Sequence, residues 1–295
     1  MTVPRALLVA CVVAGPLVCE AQAPLADVPF VLHQNAIIVE MIANDRDTLR
    51  VLLDTGWGAM ALTVQAVARL NRSGPSGESR GWITLSSLSV QRVRKTSVRV
   101  ETFRTADLTP LIGPHDGVLA TDFFKDLVVQ VDYPASRLRL FARSPIPRNP
   151  SRGSVSVMPM VFSGSAGWLP FTDSVFVNGR QARGLFDTGG SGEFLAMPQL
   201  IDAQQLERSA EASTARMGYF DGSPKRAPLR MARVTSVRVG RFVVDTPRVI
   251  LAPPQLSGGN WGHDVVIGYG FLRNYVVTFD YPGRSVTLEG RRRGL

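Results

Sequence analysis

Short runs in which apolar and polar residues alternate cover much of the chain. Segments such as SLSVQRVRKTSVRV (87–100) and SVRVGRFVVDTPRV (236–249) tend to place an apolar residue at every second position between turn-forming residues. That is the period of a half-buried strand. Helical spacing is brief, at VQAVARL (64–70) and PQLIDAQQLERS (198–209). A mainly β protein is expected. Two segments depart from alternation: VLL (51–53) and GLF (184–186) read as buried strands, and each runs directly into an ionisable residue, in RVLLDTGWGAMAL (50–62) and RGLFDTGGSGEFL (183–195).

The resemblance between those two segments extends along the chain. HDGVLATDFFKDLVVQVDYP (115–134) and HDVVIGYGFLRNYVVTFDYP (263–282) share nine of twenty positions without a gap. Each half runs through an extended apolar segment, Asp-Thr-Gly, a short helical pattern, a strand-rich middle, the His-Asp block and a DYP turn. Such order marks an internal duplication. Between the halves, RSPIPRNPSRGS (143–154) holds prolines that a central strand or helix does not tolerate. The expected organisation is a half-domain at 24–142, a linker at 143–154, a second half-domain at 155–290 and a basic tail at 291–295. The aspartates are 133 residues apart and the His-Asp blocks 148, so the second half carries 15 extra residues, placed around ARMGYFDGSPKRAPLRM (215–231). There Asp221-Gly222 marks a hairpin tip, because these residue types tolerate the positive φ of a tight turn.

Residues 1–23 stand outside this pattern: Arg5, the apolar run Ala6 to Val13, and the small-x-small AQA at Ala21 to Ala23 read as a secretory signal peptide. A lipoprotein signal ending at Cys19 is the rival, disfavoured because Leu17 and Val18 stand where a small residue belongs. Cleavage after Ala23 removes Cys11 and Cys19, the chain's 2 cysteines, and so excludes disulfides, zinc-thiolate sites and cysteine nucleophiles from the mature protein. Export is expected, to a periplasm or beyond, since a signal records export and not destination. After Ala23 no apolar run reaches the length of a membrane span, so no stable membrane insertion is expected. The net charge of +9 favours encounter with anionic surfaces, and reads first as solvated surface charge, including Arg291 to Arg293. No aromatic-interleaved basic stripe points to nucleic acid.

A single Asp-Thr-Gly is an ordinary turn sequence. Two copies at matched positions of a duplicated chain are expected to meet at the pseudo-symmetry axis and set Asp54 beside Asp187. Two carboxylates shielded from water cannot both ionise, and they settle by sharing one proton. One then acts as base toward a water attacking a carbonyl, while the other donates a hydrogen bond to the carbonyl oxygen. Thr55 and Thr188 are placed to bond across the axis, and Gly56 and Gly189 to permit close approach and donate N–H groups to the carboxylates.

These motifs, with DGVLA (116–120) and DVVIG (264–268), give the chain a resemblance over nearly all of its mature length to the retropepsin-like and pepsin-like aspartic peptidase superfamily, in a bacterial exported form with both halves in one chain. The resemblance implies two pseudo-symmetric, mainly β acid-protease half-barrels with a cleft between them, Asp54 and Asp187 as the catalytic pair, and no cofactor or metal. It also implies a hairpin flap that closes over the substrate. Asp221-Gly222 marks the better flap candidate, with Tyr219 and Phe220 as apolar contacts for a peptide and NRSGPSGESRGW (71–82) as a shorter counterpart; the bland alternative for either stretch is a surface loop. Two departures stand out: Ala120 replaces an expected glycine, and Trp57 follows the first motif where the family usually has a small residue. Trp57 either lines a substrate pocket or simply packs.

Other constellations carry less. His115-Asp116 and His263-Asp264 contain metal-ligand residue types but sit at structural turns before buried strands. His33 reads as a strand residue, Asp132 and Asp280 as caps of the DYP turns, and no Gly-x-Ser-x-Gly elbow announces a serine hydrolase. The expectation is an exported aspartic endopeptidase acting as a monomer, an internal pseudo-dimer, on polypeptide in extended conformation. The rival is a catalytically silent peptide-binding protein of the same fold. A protein active only as a dimer or after maturation is disfavoured, because both motifs lie in one chain.

Overall fold

The computed structural model describes residues 22–70, 81–103, 113–145, 154–162, 167–220, 224–253 and 262–290. Residues 1–21, most of the 143–154 linker, the first ten residues of the 71–82 segment, the Asp221-Gly222 tip and the 291–295 tail lie outside the described residues. Among the described residues no helix is long and apolar enough to cross a membrane.

In each half a hairpin delivers the apolar strand that ends at an Asp-Thr-Gly loop. Ala36–Ala43 pairs antiparallel with Asp47–Leu53 around Asn44 and Asp45, both at positive φ. Phe171–Val177 pairs with Arg180–Phe186 around Asn178-Gly179, where the φ values of 50° and 77° are those of a tight two-residue turn. A later strand then inserts beside each one. Gly117–Leu119 runs parallel to Asp47–Leu53 and antiparallel to Ala61–Thr63, and Val265–Ile267 runs parallel to Arg180–Phe186 and antiparallel to Phe194–Ala196. Strands buried on both sides in this way have no reason to alternate, which accounts for the VLL and GLF runs.

Asp116 and Asp264, just before the inserted strands, fix the register. Asp116 accepts the Arg50 N–H at 2.9 Å and pairs with the Arg69 guanidinium at 2.6 Å, while Asp264 accepts the Arg183 N–H at 2.7 Å. The first half's sheet has seven strands and closes on itself where Ala36–Ala43 also pairs with Gly81–Val90; the second half's sheet has nine. Two of those nine, Glu211–Phe220 and Pro224–Arg233, form the long hairpin of the expected 15-residue insertion, and Glu211–Phe220 is the edge strand.

A third sheet joins the halves. Its six strands run Ala26–Pro29, Arg137–Phe141, Val128–Asp132, Tyr275–Asp280, Ser285–Gly290 and Val155–Pro159, three from each half. At its middle Gln130 lies opposite Thr278, with a side-chain hydrogen bond of 3.2 Å. Those two residues are repeat equivalents, 148 apart, so the local two-fold passes between them and the flanking pairs Asp132↔Val276 and Val128↔Asp280 exchange under it. Asp132 and Asp280 cap their turns, accepting the N–H groups of Ala135 at 3.0 Å and Gly283 at 2.7 Å. One apolar core runs through both halves and this sheet, and Phe124, Phe186, Phe279 and Tyr281 are among its largest fully buried side chains.

The helical patterns follow the sequence with one difference. Val64–Arg69 is a single helix capped by the Thr63 hydroxyl, which accepts the Ala66 N–H at 3.0 Å. The second pattern splits into Pro198–Gln204 and a 3₁₀ turn at Leu206–Ser209, because Gln205 adopts a left-handed conformation with φ 53°. Helical spacing continues across that break, so periodicity alone did not mark it.

Ala120 and Gly268 occupy equivalent positions after the inserted strands, and the loops opposite explain the difference between them. A Cβ on Gly268 would lie 2.6 Å from the carbonyl oxygens of Gly190 and Gly192. Ala120 is fully buried, and its N–H faces the Met60 Sδ at 3.4 Å. Gly268→Ala should therefore destabilise the fold by about 1–3 kcal/mol through overpacking, and Ala120→Gly by about 1 kcal/mol through the lost methyl burial and added chain entropy. Urea denaturation measures both; a Gly268→Ala chain as stable as wild type would mean that the second loop yields freely.

Candidate active site

Each Asp-Thr-Gly loop begins where its apolar strand ends. The Asp54 N–H donates to Leu119 O and the Asp187 N–H to Ile267 O, both at 3.0 Å, so the inserted strands hold both aspartates at their backbones. The threonines then knit the loops together. Thr55 Oγ1 donates to Phe186 O at 2.8 Å and accepts the Thr188 N–H at 3.1 Å; Thr188 Oγ1 donates to Leu53 O at 2.9 Å and accepts the Thr55 N–H at 3.0 Å. Both side chains are fully buried, and each hydroxyl is used as donor and as acceptor.

The glycines let the carboxyl groups meet. A Cβ at Gly56 would lie 2.6 Å from the Asp187 Cγ, and one at Gly189 would lie 2.5 Å from the Asp54 Cγ. Each glycine therefore lies against the opposite half's carboxyl, and any side chain there would push that carboxyl out of place. The N–H groups of the loops point inward: Gly56 donates to Asp54 Oδ1 at 2.8 Å, and Gly189 and Gly190 donate to Asp187 Oδ1 at 2.8 and 2.9 Å. Trp57 gives Asp54 a further N–H, and the two carboxyl groups hydrogen-bond each other.

Asp54 and Asp187 keep some contact with solvent, yet protein encloses their carboxyl groups closely enough to dominate their titration. Burial pushes Asp54 well above the ordinary carboxylate range, and the Asp187 charge and the bond between them add to this against the N–H groups of Gly56 and Trp57. Burial also raises Asp187, opposed by the hydrogen bond from Asp54, the N–H groups of Gly189 and Gly190, and His263. The pair therefore holds a proton at a pH where an exposed carboxyl has lost it.

Beneath the pair lie two tyrosines whose roles sequence reasoning missed. Tyr133 and Tyr281 are repeat equivalents in the DYP turns, and their hydroxyls are buried without a hydrogen-bond partner among the described residues. Burial raises both above the usual tyrosine range, with a further contribution from Asp187 at Tyr133 and from Asp54 at Tyr281. Each tyrosine thus feels the aspartate of the opposite half. Tyr281 is stacked on Phe124 at 6.5 Å, and Tyr133 meets Tyr269 edge-on at 5.9 Å. Their repetition was the available signal, but it reads as turn chemistry until the strands of the joining sheet are placed.

Trp57 is half-buried and packs on a small apolar cluster. Its carbonyl accepts from both the N–H and the hydroxyl of Thr121 at 3.1 Å. No hydroxyl stands immediately after either motif, and the Thr121 hydroxyl, at the start of the helix Thr121–Phe124, holds the backbone of the first loop. Tyr219 and Phe220 lie at the far end of their strand, with backbone opposite Lys225 and Pro224. His33 ends the short strand Val31–His33. His115 is buried, its Nδ1 2.8 Å from Gly113 O and its ring stacked on Phe103 at 6.2 Å, while His263 stacks on Phe171 at 5.6 Å. Among the described residues no group of three or more His, Cys, Asp or Glu side chains is arranged to hold a metal ion.

Comparison with known proteins agrees with this geometry. The sequence model of the aspartyl protease family matches residues 174–271, which contain the second Asp-Thr-Gly loop and the strand inserted beside it. No curated protein sequence matches the chain. Among solved structures, the aspartic proteinase from Irpex lacteus superposes over 90% of this chain and 97% of its own, with a TM-score of 0.53 and 12% sequence identity. At that identity the likeness speaks for the fold. The chain thus shares the fold of an aspartic proteinase over most of its length, and residues 174–271 match the aspartyl protease family in sequence.

Proposed function

We propose that the chain is an exported aspartic endopeptidase that hydrolyses peptide bonds by a water activated between Asp54 and Asp187. The observation that carries this reading is the hydrogen-bonded contact of two carboxyl groups whose proton affinity is raised by burial. The ionised member takes a proton from the water as its oxygen attacks the carbonyl carbon. The protonated member hydrogen-bonds the carbonyl oxygen and stabilises the developing charge. Return of a proton to the amide nitrogen then releases the amine and resets the pair. Asp54 and Asp187 are the catalytic residues; Thr55, Thr188, Gly56 and Gly189 hold them in place.

Polypeptide in extended form suits the edge that Glu211–Phe220 presents among the described residues, where a substrate backbone can add as a further strand, with Tyr219 and Phe220 as flap contacts. Export rests on the signal-like residues 1–23. Both carboxyl groups come from one chain, which favours a monomer. Trp57 and Ala120, the two departures from the family's pattern, leave the pair intact: Trp57 serves it through a backbone N–H, and Ala120 fits its pocket.

Incubation of the purified chain with an unfolded protein mixture from about pH 3 to about pH 8 should give cleavage with a bell-shaped profile. Asp54→Asn and Asp187→Asn should each abolish it while the chain stays folded. A folded wild type that cuts nothing at any pH would overturn the reading in favour of binding alone.

Stability supplies a second expectation. The folded pair binds its proton more tightly than the unfolded chain does, so its contribution is full below the ordinary carboxylate range and is lost as pH rises through the raised values. Asp54→Asn removes the Asp54 share of that dependence and leaves the share that burial gives Asp187. Its melting temperature relative to wild type should rise steadily between about pH 4 and about pH 8; a constant difference would show that the pair titrates as exposed carboxylates do.

A further inference from the structure

The floor beneath the catalytic pair is polar where packing alone does not require it. The rings of Tyr133 and Tyr281 are held in aromatic surroundings: Tyr281 stacks on Phe162 at 6.2 Å and on Phe124 at 6.5 Å, and Tyr133 meets Phe30 edge-on at 6.2 Å and Tyr269 at 5.9 Å. Phenylalanine would fill both places. Each position instead carries a hydroxyl that reaches neither solvent nor a hydrogen-bond partner among the described residues. Buried hydroxyls are mostly paired, because an unpaired one costs free energy. This chain has two, at equivalent places 148 residues apart.

Each ring lies under the loop of the opposite half. Tyr281, from the second half, packs on Phe124 in the helix Thr121–Phe124, and the first residue of that helix holds the Trp57 carbonyl in the loop of Asp54. Tyr133, from the first half, packs on Tyr269, whose N–H donates at 2.7 Å to Gly190 O in the loop of Asp187. The electrostatics follow the same crossing, with Tyr281 responding to the Asp54 charge and Tyr133 to that of Asp187. Burial holds both hydroxyls so far above the usual tyrosine range that they stay neutral wherever the pair works. With the rings fixed, the hydroxyl hydrogen can still turn, and a dipole that can turn orients toward an anion.

Resting on the peptidase reading above, we infer that Tyr133 and Tyr281 are positioning residues for the pair: each presents a neutral hydroxyl dipole to the aspartate of the opposite half and stabilises the singly ionised state that activates water. The loop N–H groups of Gly56 and Gly189 act on the same charge from within each half. Burial alone would press the pair toward a fully protonated state with no base. The two hydroxyls oppose that from below.

Tyr133→Phe and Tyr281→Phe remove the hydroxyls and keep the rings. The pH profile of kcat/KM on a peptide containing a mapped cut site should move toward higher pH by about half a pH unit or more in each variant, and further in the double variant, since the anion loses a stabilising dipole. Melting temperature against pH gives a readout that needs no turnover. The pair's contribution to stability is lost as pH rises through its raised values, so in the variants that loss should come at higher pH than in wild type. Hydroxyls with a packing role only give a different result: both variants keep the wild-type profiles and melt higher, because an unpaired buried polar group is gone. That result, or a shift toward lower pH, overturns the inference and leaves the peptidase reading standing. Circular dichroism checks the fold, and either single variant keeps the test decisive if the double variant does not fold. A folded wild type that cuts nothing overturns the peptidase reading, and the melting profiles then decide whether the hydroxyls act on the pair.

Discussion

Two carboxyl groups are held in contact where water cannot fully screen them, and most of the structure around them can be read as a response to that constraint. At an effective dielectric typical of a protein surface, two unit charges about 4 Å apart repel by roughly 4 kcal/mol. The pair avoids this by keeping one proton between them, and the loops must then resist the tendency of the aspartates to part when that proton is lost. The reciprocal bonds of Thr55 and Thr188 supply the resistance, because each hydroxyl grips the backbone of the other half just ahead of the aspartate. The glycines at 56 and 189 are the steric counterpart: the carboxyl of one half occupies the space where a side chain of the other would stand.

The symmetry is close at the pair and loosens away from it. Within the loops the bonds made by Thr55 and Thr188 agree to within 0.1 Å. One layer out, the same structural tasks are done differently. Gly268 lets two carbonyl oxygens approach in the second half, whereas Ala120 fills the equivalent place in the first. The Met60 N–H is taken by the Asp122 carboxylate, while the matching region of the second half uses backbone alone, with the Gly270 N–H donating to Gly192 O. Chemistry that needs two like groups enforces symmetry only where it acts on those groups.

This gradient also explains what the sequence made legible. Asp54 and Asp187 could be read because the same Asp-Thr-Gly recurs behind similar apolar strands at matched places in the repeat, and the turn roles of Asp132 and Asp280 because an Asp cap acts within three residues. The long second-half hairpin could be read from a difference in spacing. By contrast, the joining sheet pairs strands 148 residues apart, and nothing local says that the DYP strands face each other. Once they do, Tyr133 and Tyr281 cease to be turn residues and become the floor of the site. Gln205 was illegible for another reason: one left-handed residue ends a helix without disturbing the apolar spacing on either side.

The same non-local ties bear on how far the halves are domains at all. Each has its own sheet, and by composition each is long enough for a core. Yet Thr55 is satisfied only by the second half, Thr188 only by the first, and each tyrosine beneath the pair lies against a helix of the other half. A half taken alone would expose these groups and the middle of the joining sheet to water and forfeit the hydrogen bonds between the halves, each a net contribution of about 0.5–1.5 kcal/mol. The halves are thus separable in sequence and inseparable in energy. What one half lacks is what builds the site, so the pair's unusual proton affinity arises only when the whole chain is folded.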